Sequence, residues 1–370
     1  MEPIRVGLIG ASVDPARSWG TRAHVPALQH LPEYELAALC TTREETARAA
    51  AAAFGVPHAF WDARAMTAST AVDLVAIAVR TPLHGEMVQA ALAAGKAVYC
   101  EWPLGATVEE ARRTLADTQA AGVVNMIGLQ GRQNEAIRYA RDLIAEGYVG
   151  RIVSVTMKVT QANFGPDETP GNAYTADAAN GATILTIAAG QALEAMCHAV
   201  GGLRRFSAVV SNQHPVARIA PTGEEIAKTA PDQVLIAGLL DGGAVVSVHI
   251  RGGAAPATSY ARLEINGTAG DLVLSAPGAA NLHRVALSVS GARRGEPVLR
   301  PLPVPASYGI GIPEGPARYL GHNYVELARA LRGGPPVTAD FAHALRWQEM
   351  LAAIQRASDT GQAQEFTAVT

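Results

Sequence analysis

Lysine is the scarcest charged residue here: of thirty basic side chains in 370 residues only three are lysines, Lys96, Lys158 and Lys228. Any chemistry that needs an amine therefore has three candidates. Cysteine is equally scarce. Cys40, Cys100 and Cys197 are far apart and form neither a CxxC pair nor a Cys/His ligand pattern, which argues against a disulfide framework and a zinc site. Thirty basic against thirty-three acidic residues leave a formal charge of -3, without the basic excess that nucleic-acid phosphates demand. Long apolar runs are missing as well, since stretches such as Val72 to Val79 are too short to span a bilayer. The first twenty residues read as strand and loop rather than a secretory leader. The histidines from His198 to His343 are scattered, with no two at ligand spacing on one helix, so no metal is expected. No G-x-S-x-G element is present, which argues against a hydrolase of that type. The expectation is a cytoplasmic protein with a small-molecule partner, and neither nucleic acid nor membrane as a partner.

What is present is length and alternation. At 370 residues and 49% hydrophobic, the chain exceeds what one core holds. Apolar strands at 4–9, 34–40, 73–79, 97–100 and 123–129 alternate with helices at 23–30, 44–54, 83–94 and 108–121. Continuously apolar strands separated by helices predict a parallel sheet covered on both faces, an α/β domain over residues 1–131. Beyond Arg132 the period becomes two: Val153, Val155, Met157 and Val159 face one way, and Ser154, Thr156, Lys158 and Thr160 the other. Further strands at 206–211, 233–240, 244–251, 261–266 and 271–275 are divided by turn residues such as Asp241-Gly242-Gly243. Residues 132–370 are thus expected to form an α+β domain for substrate and oligomerisation with a large, mainly antiparallel open sheet, its C-terminal helices free to pack back on the first domain. Helices are expected at 183–200, 317–332 and 341–358, and an irregular Pro- and Gly-rich connection over 299–316.

The loop from Gly10 to Gly20 joins the first strand to the first helix, where backbone N–H groups and a helix N-terminus hold a pyrophosphate in dinucleotide-binding folds. Ser12 stands where the second glycine of GxGxxG would be, and the loop is about five residues longer than that fingerprint. The broken motif leaves an ordinary strand-to-helix turn as the alternative; the surrounding strand–helix alternation favours the dinucleotide. Strand two runs into Cys40-Thr41-Thr42-Arg43 with no acid before Glu44. A carboxylate there would bond the ribose 2'-hydroxyl, whereas hydroxyls and a guanidinium suit a 2'-phosphate. NADP(H) is therefore expected to be preferred, with NAD(H) as the alternative, although Thr42 could instead cap the next helix with Glu45.

The segments VGLIGAS, AVRTPLHGEM, AGKAVYCEWPLG, LQGR and GYVGRI, in that order, resemble the glucose-fructose oxidoreductase/inositol dehydrogenase/MocA family over nearly the whole chain. The Trp19 neighbourhood, CEWPLG, LQGRQ and KTAPDQVLIAGLL are similar to the branch holding the fungal galactose-pathway repressor and its bacterial relatives. The resemblance implies an N-terminal Rossmann domain, NAD(P) in a crevice between the domains, and a homodimer or homotetramer formed through the C-terminal sheet. It puts Gly10 and Ser12 on the phosphate loop, Thr42 and Arg43 at the adenosine ribose, and His84 among the cofactor residues. Trp19 joins them through its branch-like neighbourhood. Glu101 and Pro103 match the family's Glu-Lys-Pro motif, which puts Glu101 and its neighbour Trp102 among the cofactor residues, but Trp102 replaces the motif's proton-transferring lysine. The family's catalytic Asp and His, four residues apart on a helix, align with Ile187 and Gln191. An indole, an alkyl chain and an amide do no acid–base work near neutral pH.

Substitute chemistry has to come from elsewhere. Lys96 reads as an exposed turn residue and Lys158 as a surface or interface residue, which leaves Lys228 as the amine candidate, against an exposed loop lysine. Tyr174 could protonate a carbonyl oxygen, and Asp177 either joins it or merely leads a helix. Gln191 could orient a substrate. Arg80 ends the third apolar run, where the carboxyl ends of such strands line a crevice, and Arg132 has a similar reading. Trp102 offers a flat wall for a ring. Two functions remain: an NADP(H)-dependent oxidoreductase of a sugar-like polyol, a carbonyl compound or a cyclic imine, and a nicotinamide-binding sensor without turnover.

Overall fold

The first strand, β1 (Ile4–Ile9), is buried over its last four residues. The strands after it are β2 (Tyr34–Cys40), β4 (Leu74–Ile77), β5 (Ala97–Glu101) and β6 (Asn125–Gly128), all largely buried, and the short, more exposed β3 (His58–Phe60). A computed structural model describes residues 2–14 and 18–366. All six strands pair in parallel in the order β3-β2-β1-β4-β5-β6, which places a topological switch between β1 and β4. The connecting helices are α1 (Val25–His30), α2 (Glu44–Phe54), α3 (Ala63–Ala68), α4 (His84–Ala93) and α5 (Val108–Ala121). Alanines favour α2, Glu44 and Glu45 complement its N-terminal dipole, and Gly55 ends it at φ +68. Thr107 caps α5 by accepting the Glu110 N–H.

The chain divides into two units, 1–130 with 310–348, and 131–309 with 349–370. The helix Pro316–Leu331, one of the C-terminal helices that the sequence allows to pack back on the first domain, belongs to the first unit, where Leu320, Tyr324 and Leu327 join the core with Leu28 and Tyr99. The six-strand count includes β3, which the periodicity did not reveal because three residues carry no period.

In the second unit, α6 (Glu135–Ala145), capped by Asn134, precedes β7 (Ile152–Thr160). A nine-stranded sheet follows, built from β7, β9 (Leu203–Ser211), β12 (Gln233–Leu240), β13 (Val245–Arg251), β14 (Tyr260–Gly267), β15 (Gly270–Pro277), β16 (Ser288–Arg293), β17 (Arg300–Pro301) and β18 (Gln364–Glu365). All its pairs are antiparallel except β7 with β13. A smaller sheet joins β8 (Asp167–Glu168), β10 (Val216–Ile219) and β11 (Glu224–Ala227). The last two strands make an antiparallel hairpin. The helix expected at 183–200 begins as a wide turn, Ile184–Ala189, and continues as α7 (Gly190–Val200). The stretch Ala178–Val200 has the length and apolar composition to cross a bilayer, which corrects the view that no run does; 72% of its most apolar window is buried inside the protein.

Candidate functional site

The loop after β1 is shaped by glycine and tied by hydroxyls. Gly10 sits at φ +102, and a Cβ there would lie 2.3 Å from the Ala78 carbonyl oxygen. The position requires glycine. A Cβ on Gly20 would fall 2.9 Å from the Gly10 carbonyl oxygen, so Gly20 supplies the close helix–strand approach of a dinucleotide fingerprint despite the longer loop. Ser18 donates to the Gly10 carbonyl at 2.8 Å, the Thr21 N–H donates to Ser18 Oγ at 3.1 Å, and the Ser12 N–H donates to Thr21 Oγ1 at 3.0 Å. Pro15, Ala16 and Arg17 lie outside the described residues.

This loop, the end of β2 and the start of α2 enclose a cavity of about 580 Å³ whose walls include Gly10, Ser12, Thr42, Arg43, Glu45 and Trp61. Arg43 rather than Thr42 occupies the N-cap of α2 and makes no side-chain cap bond there, which removes the capping alternative for Thr42. Thr41 and Thr46 close the turn instead, 2.6 Å apart through their hydroxyls, with Thr41 also donating to the Arg43 carbonyl at 3.1 Å. Thr42 and Arg43 are left exposed at the rim. Burial pushes the Cys40 thiol up to about 12, so it is an inert wall. Sequence reasoning missed Trp61, 49% exposed beside the cavity, and the lining residues Leu83 and Met87. An aromatic directly after β3 was the available signal.

Glu101 ends β5 with both carboxylate oxygens occupied: Gln130 Nε2 donates to them at 2.7 and 2.9 Å, and His24 Nε2 lies 3.0 Å from Oε1. His24 is fully buried and places Nδ1 2.7 Å from Tyr324 Oη. Trp102 is buried. His84, expected among the cofactor residues, is buried too: its Nδ1 lies 2.7 Å from the Pro103 carbonyl oxygen and its Nε2 3.0 Å from that of Val79. Burial lowers its pKa against the two carbonyls, which raise it, and the ring ties together the segments that follow β4 and β5. Trp19 packs on the core and stacks near Arg22 rather than lining the cavity. Arg80 is exposed at the end of β4. Lys96, expected to be exposed, is half-buried and donates to the carbonyls of Val72 and Ser69.

In the second unit the predicted chemistry is largely occupied by structure. Gln191 accepts the Gly131 N–H at 3.2 Å, one turn beyond Ile187. Arg132 is nearly buried, 3.4 Å from Glu194 and 3.0 Å from His198 Nδ1, so its bonds run to α7. Lys228 is the clearest correction to the loop-lysine alternative. Its side chain is 1% exposed, with the ammonium 3.2 Å from Asp232 Oδ2 and 2.7 Å from the Ala230 carbonyl. Burial pushes Asp232 up, but N–H donation from Gln213, His214 and Lys228 outweighs it and holds the carboxyl below its usual range. The same turn grips the segment that carries Tyr174: Thr229 and Ala230 N–H groups both donate to the Ala176 carbonyl. Tyr174 is half-buried, and its carbonyl accepts from Asn180 at 2.8 Å. Asp177 accepts the Ala179 N–H and serves as a cap. Among the described residues no group of three or more His, Cys, Asp or Glu could hold a metal.

Residues 4–129 match the oxidoreductase family with an NAD-binding Rossmann fold, and residues 135–276 match the C-terminal domain of Gal80p. The galactose/lactose metabolism regulatory protein GAL80 of Saccharomyces cerevisiae is 28% identical over 79% of this chain and 71% of its own length. Levoglucosan dehydrogenase of Pseudarthrobacter phenanthrenivorans is 26% identical over 92% of this chain and 93% of its own length. The crystal structure of a super-repressor mutant of Saccharomyces cerevisiae Gal80p superposes with a TM-score of 0.85 at 21% identity, covering 98% of both chains. The chain belongs to the glucose-fructose oxidoreductase/inositol dehydrogenase/MocA family of oxidoreductases, in a Gal80-like branch.

Proposed function

We propose that the protein is an NADP(H)-dependent oxidoreductase that acts by hydride transfer on a small polar substrate, either a sugar-like polyol or carbonyl compound or a cyclic imine. The observation that carries this reading is the cavity beside Gly10, with Thr42 and Arg43 exposed on its rim and no acid directly after β2. A guanidinium and a hydroxyl at that position complement a 2'-phosphate, and the glycine-shaped loop leaves backbone room for a pyrophosphate. Levoglucosan dehydrogenase among the relatives supports a sugar-like substrate. The nicotinamide supplies the hydride chemistry; the chain must bind, orient and exclude water. Trp102, Ile187 and Gln191 take no part in proton transfer, and Lys228 is withdrawn from candidacy by its buried pairing with Asp232. Tyr174 remains the candidate proton donor and Gln191 an orienting amide.

A second reading, a nicotinamide-binding regulator without turnover, is favoured by those same three non-titrating side chains and by the GAL80 relative. Self-association through the open face of the large sheet, where Val209, Leu235 and Val245 are exposed, suits both readings. Calorimetry with NADPH and NADH, followed by an absorbance screen of polyols, aldoses, ketones and cyclic imines, decides between them. Tighter NADPH than NADH binding with turnover supports the enzyme. Tight binding with no turnover on any class supports the regulator, and equal or tighter NADH binding removes the NADP(H) preference. Light scattering that returns a monomer removes the sheet-mediated assembly.

A further inference from the structure

We propose that Glu101 is a fixed negative charge on the nicotinamide half of the cofactor site, where it favours the oxidised, positively charged ring over the reduced one. The inference rests on the cofactor reading above and adds a role for a side chain that reading does not use.

In a sheet ordered β3-β2-β1-β4-β5-β6 the two halves each take one mononucleotide at the carboxyl ends of their strands. The cavity with Thr42 and Arg43 is at the ends of β1 and β2, on the adenosine half. The other half is β4-β5-β6, and Glu101 is the last residue of β5. Its carboxylate is held from behind on every side the structure provides. Gln130 donates to both oxygens, and His24 reaches Oε1 at 3.0 Å. Tyr324 in turn fixes the His24 ring, while Asn323 Nδ2 and Gln130 Nε2 approach Tyr99 Oη nearby at 3.0 and 3.4 Å. Gly128 completes the cradle: a Cβ there would lie 2.7 Å from Oε1 and 2.9 Å from Oε2 and would drive the carboxylate out.

The supports are buried and the carboxylate is not wholly so. His24 has no exposed side chain, whereas that of Glu101 is 12% exposed. A tether of this kind holds a charge in place with little reorganisation, which is how preorganised groups act on charge in a ligand. The neighbouring residue matters as much. Trp102 stands where the family has lysine, so no ammonium on the next residue neutralises the carboxylate. An indole at that place leaves the negative charge available to a cation, and the oxidised nicotinamide ring carries one positive charge that the reduced ring lacks.

The test is equilibrium binding, with no turnover required. NADP+ and NADPH are titrated separately into the native chain and into Glu101→Gln, with a thermal melt of each. The native chain should favour NADP+ relative to the variant by about tenfold, the scale of one charge–charge interaction in a partly screened site. Glu101→Asp, which keeps the charge, should retain most of the preference. An unchanged ratio in a folded Glu101→Gln overturns the inference while leaving the cofactor reading intact. Should that variant not fold, Trp102→Lys decides, because an ammonium beside the carboxylate should abolish the preference, and an unaltered ratio there overturns the inference equally. Native chain that binds neither form overturns the proposed function, and the role of Glu101 with it.

Discussion

The cavity beside β1 and the turn at Lys228 show opposite uses of charge. At the cavity rim Thr42 and Arg43 stand exposed, Arg43 at the N-cap of α2 with its side chain making no cap bond. At the turn, Lys228, Asp232, His214 and Asn212 bond to one another and to backbone, so that a motif which reads as chemistry is spent on holding a segment in place. Buried ions persist only when paired, and exposed ones need no partner. The difference separates exposed charge from charge spent on structure more reliably than residue type does: lysine is the commoner catalytic amine, yet here the arginine is the exposed cation.

The sharpest way to break this contrast is to remove the buried ammonium. Lys228→Met should destabilise the second unit by about 3–5 kcal/mol, the usual cost of stranding the other member of a buried ion pair, read as a fall in melting temperature. An unchanged melt with lost turnover would make Lys228 a reacting amine and erase the contrast.

Glu168 gives a smaller and pH-dependent effect in the same unit. Burial pushes its carboxyl up to about 7 from 4.5, against the opposing N–H of Phe164 and the charge of Lys228, with Asp167 adding to the rise. The folded state therefore holds a proton that the unfolded state has already lost. That contribution to stability is complete below about pH 4.5 and disappears as pH climbs through about 7, a difference of about 3 kcal/mol. Glu168→Gln should flatten this profile, which melts at pH 5 and pH 8 would reveal as a smaller difference than in the native chain. A native chain equally stable at both values would show that Glu168 is solvated.

These regions also differ in how far the sequence reveals them. The exposure of the pair at 42–43 was legible because it follows from their position after an apolar strand. The helices α2 and α5 were legible in full for a similar local reason: alanines or a threonine cap at the start, and glycine at the end. By contrast α6 went unread although Asn134 caps it and Ala136, Ile137, Ala140 and Leu143 have helical spacing. Arg138, Arg141 and Asp142 interrupt its apolar stripe and make the segment look like a connection. His24, Glu101 and Gln130 meet only in the folded sheet, 77 and 29 residues apart in sequence, so no spacing announces them. Lys228 was misread because turn residues such as Pro231 suggest exposure, while its burial depends on strands that arrive from elsewhere.

The mildest perturbation bears on the exposed side of the contrast. Arg43→Ala removes a guanidinium that the fold does not use, so the melting temperature should stay put. NADPH affinity should fall about tenfold, or about 1.4 kcal/mol, and NADH affinity should hold, because the two cofactors differ at the 2'-phosphate alone. The loss should also shrink as salt is raised, since exposed charges within one Debye length are screened. Trp61→Ala supplies the counterpart on the same wall: an apolar platform serves both cofactors alike, so both affinities should drop together and without salt dependence. Equal losses of NADH and NADPH in Arg43→Ala would instead make Arg43 a wall residue like Trp61, and the selectivity for the phosphate would have to come from Thr42.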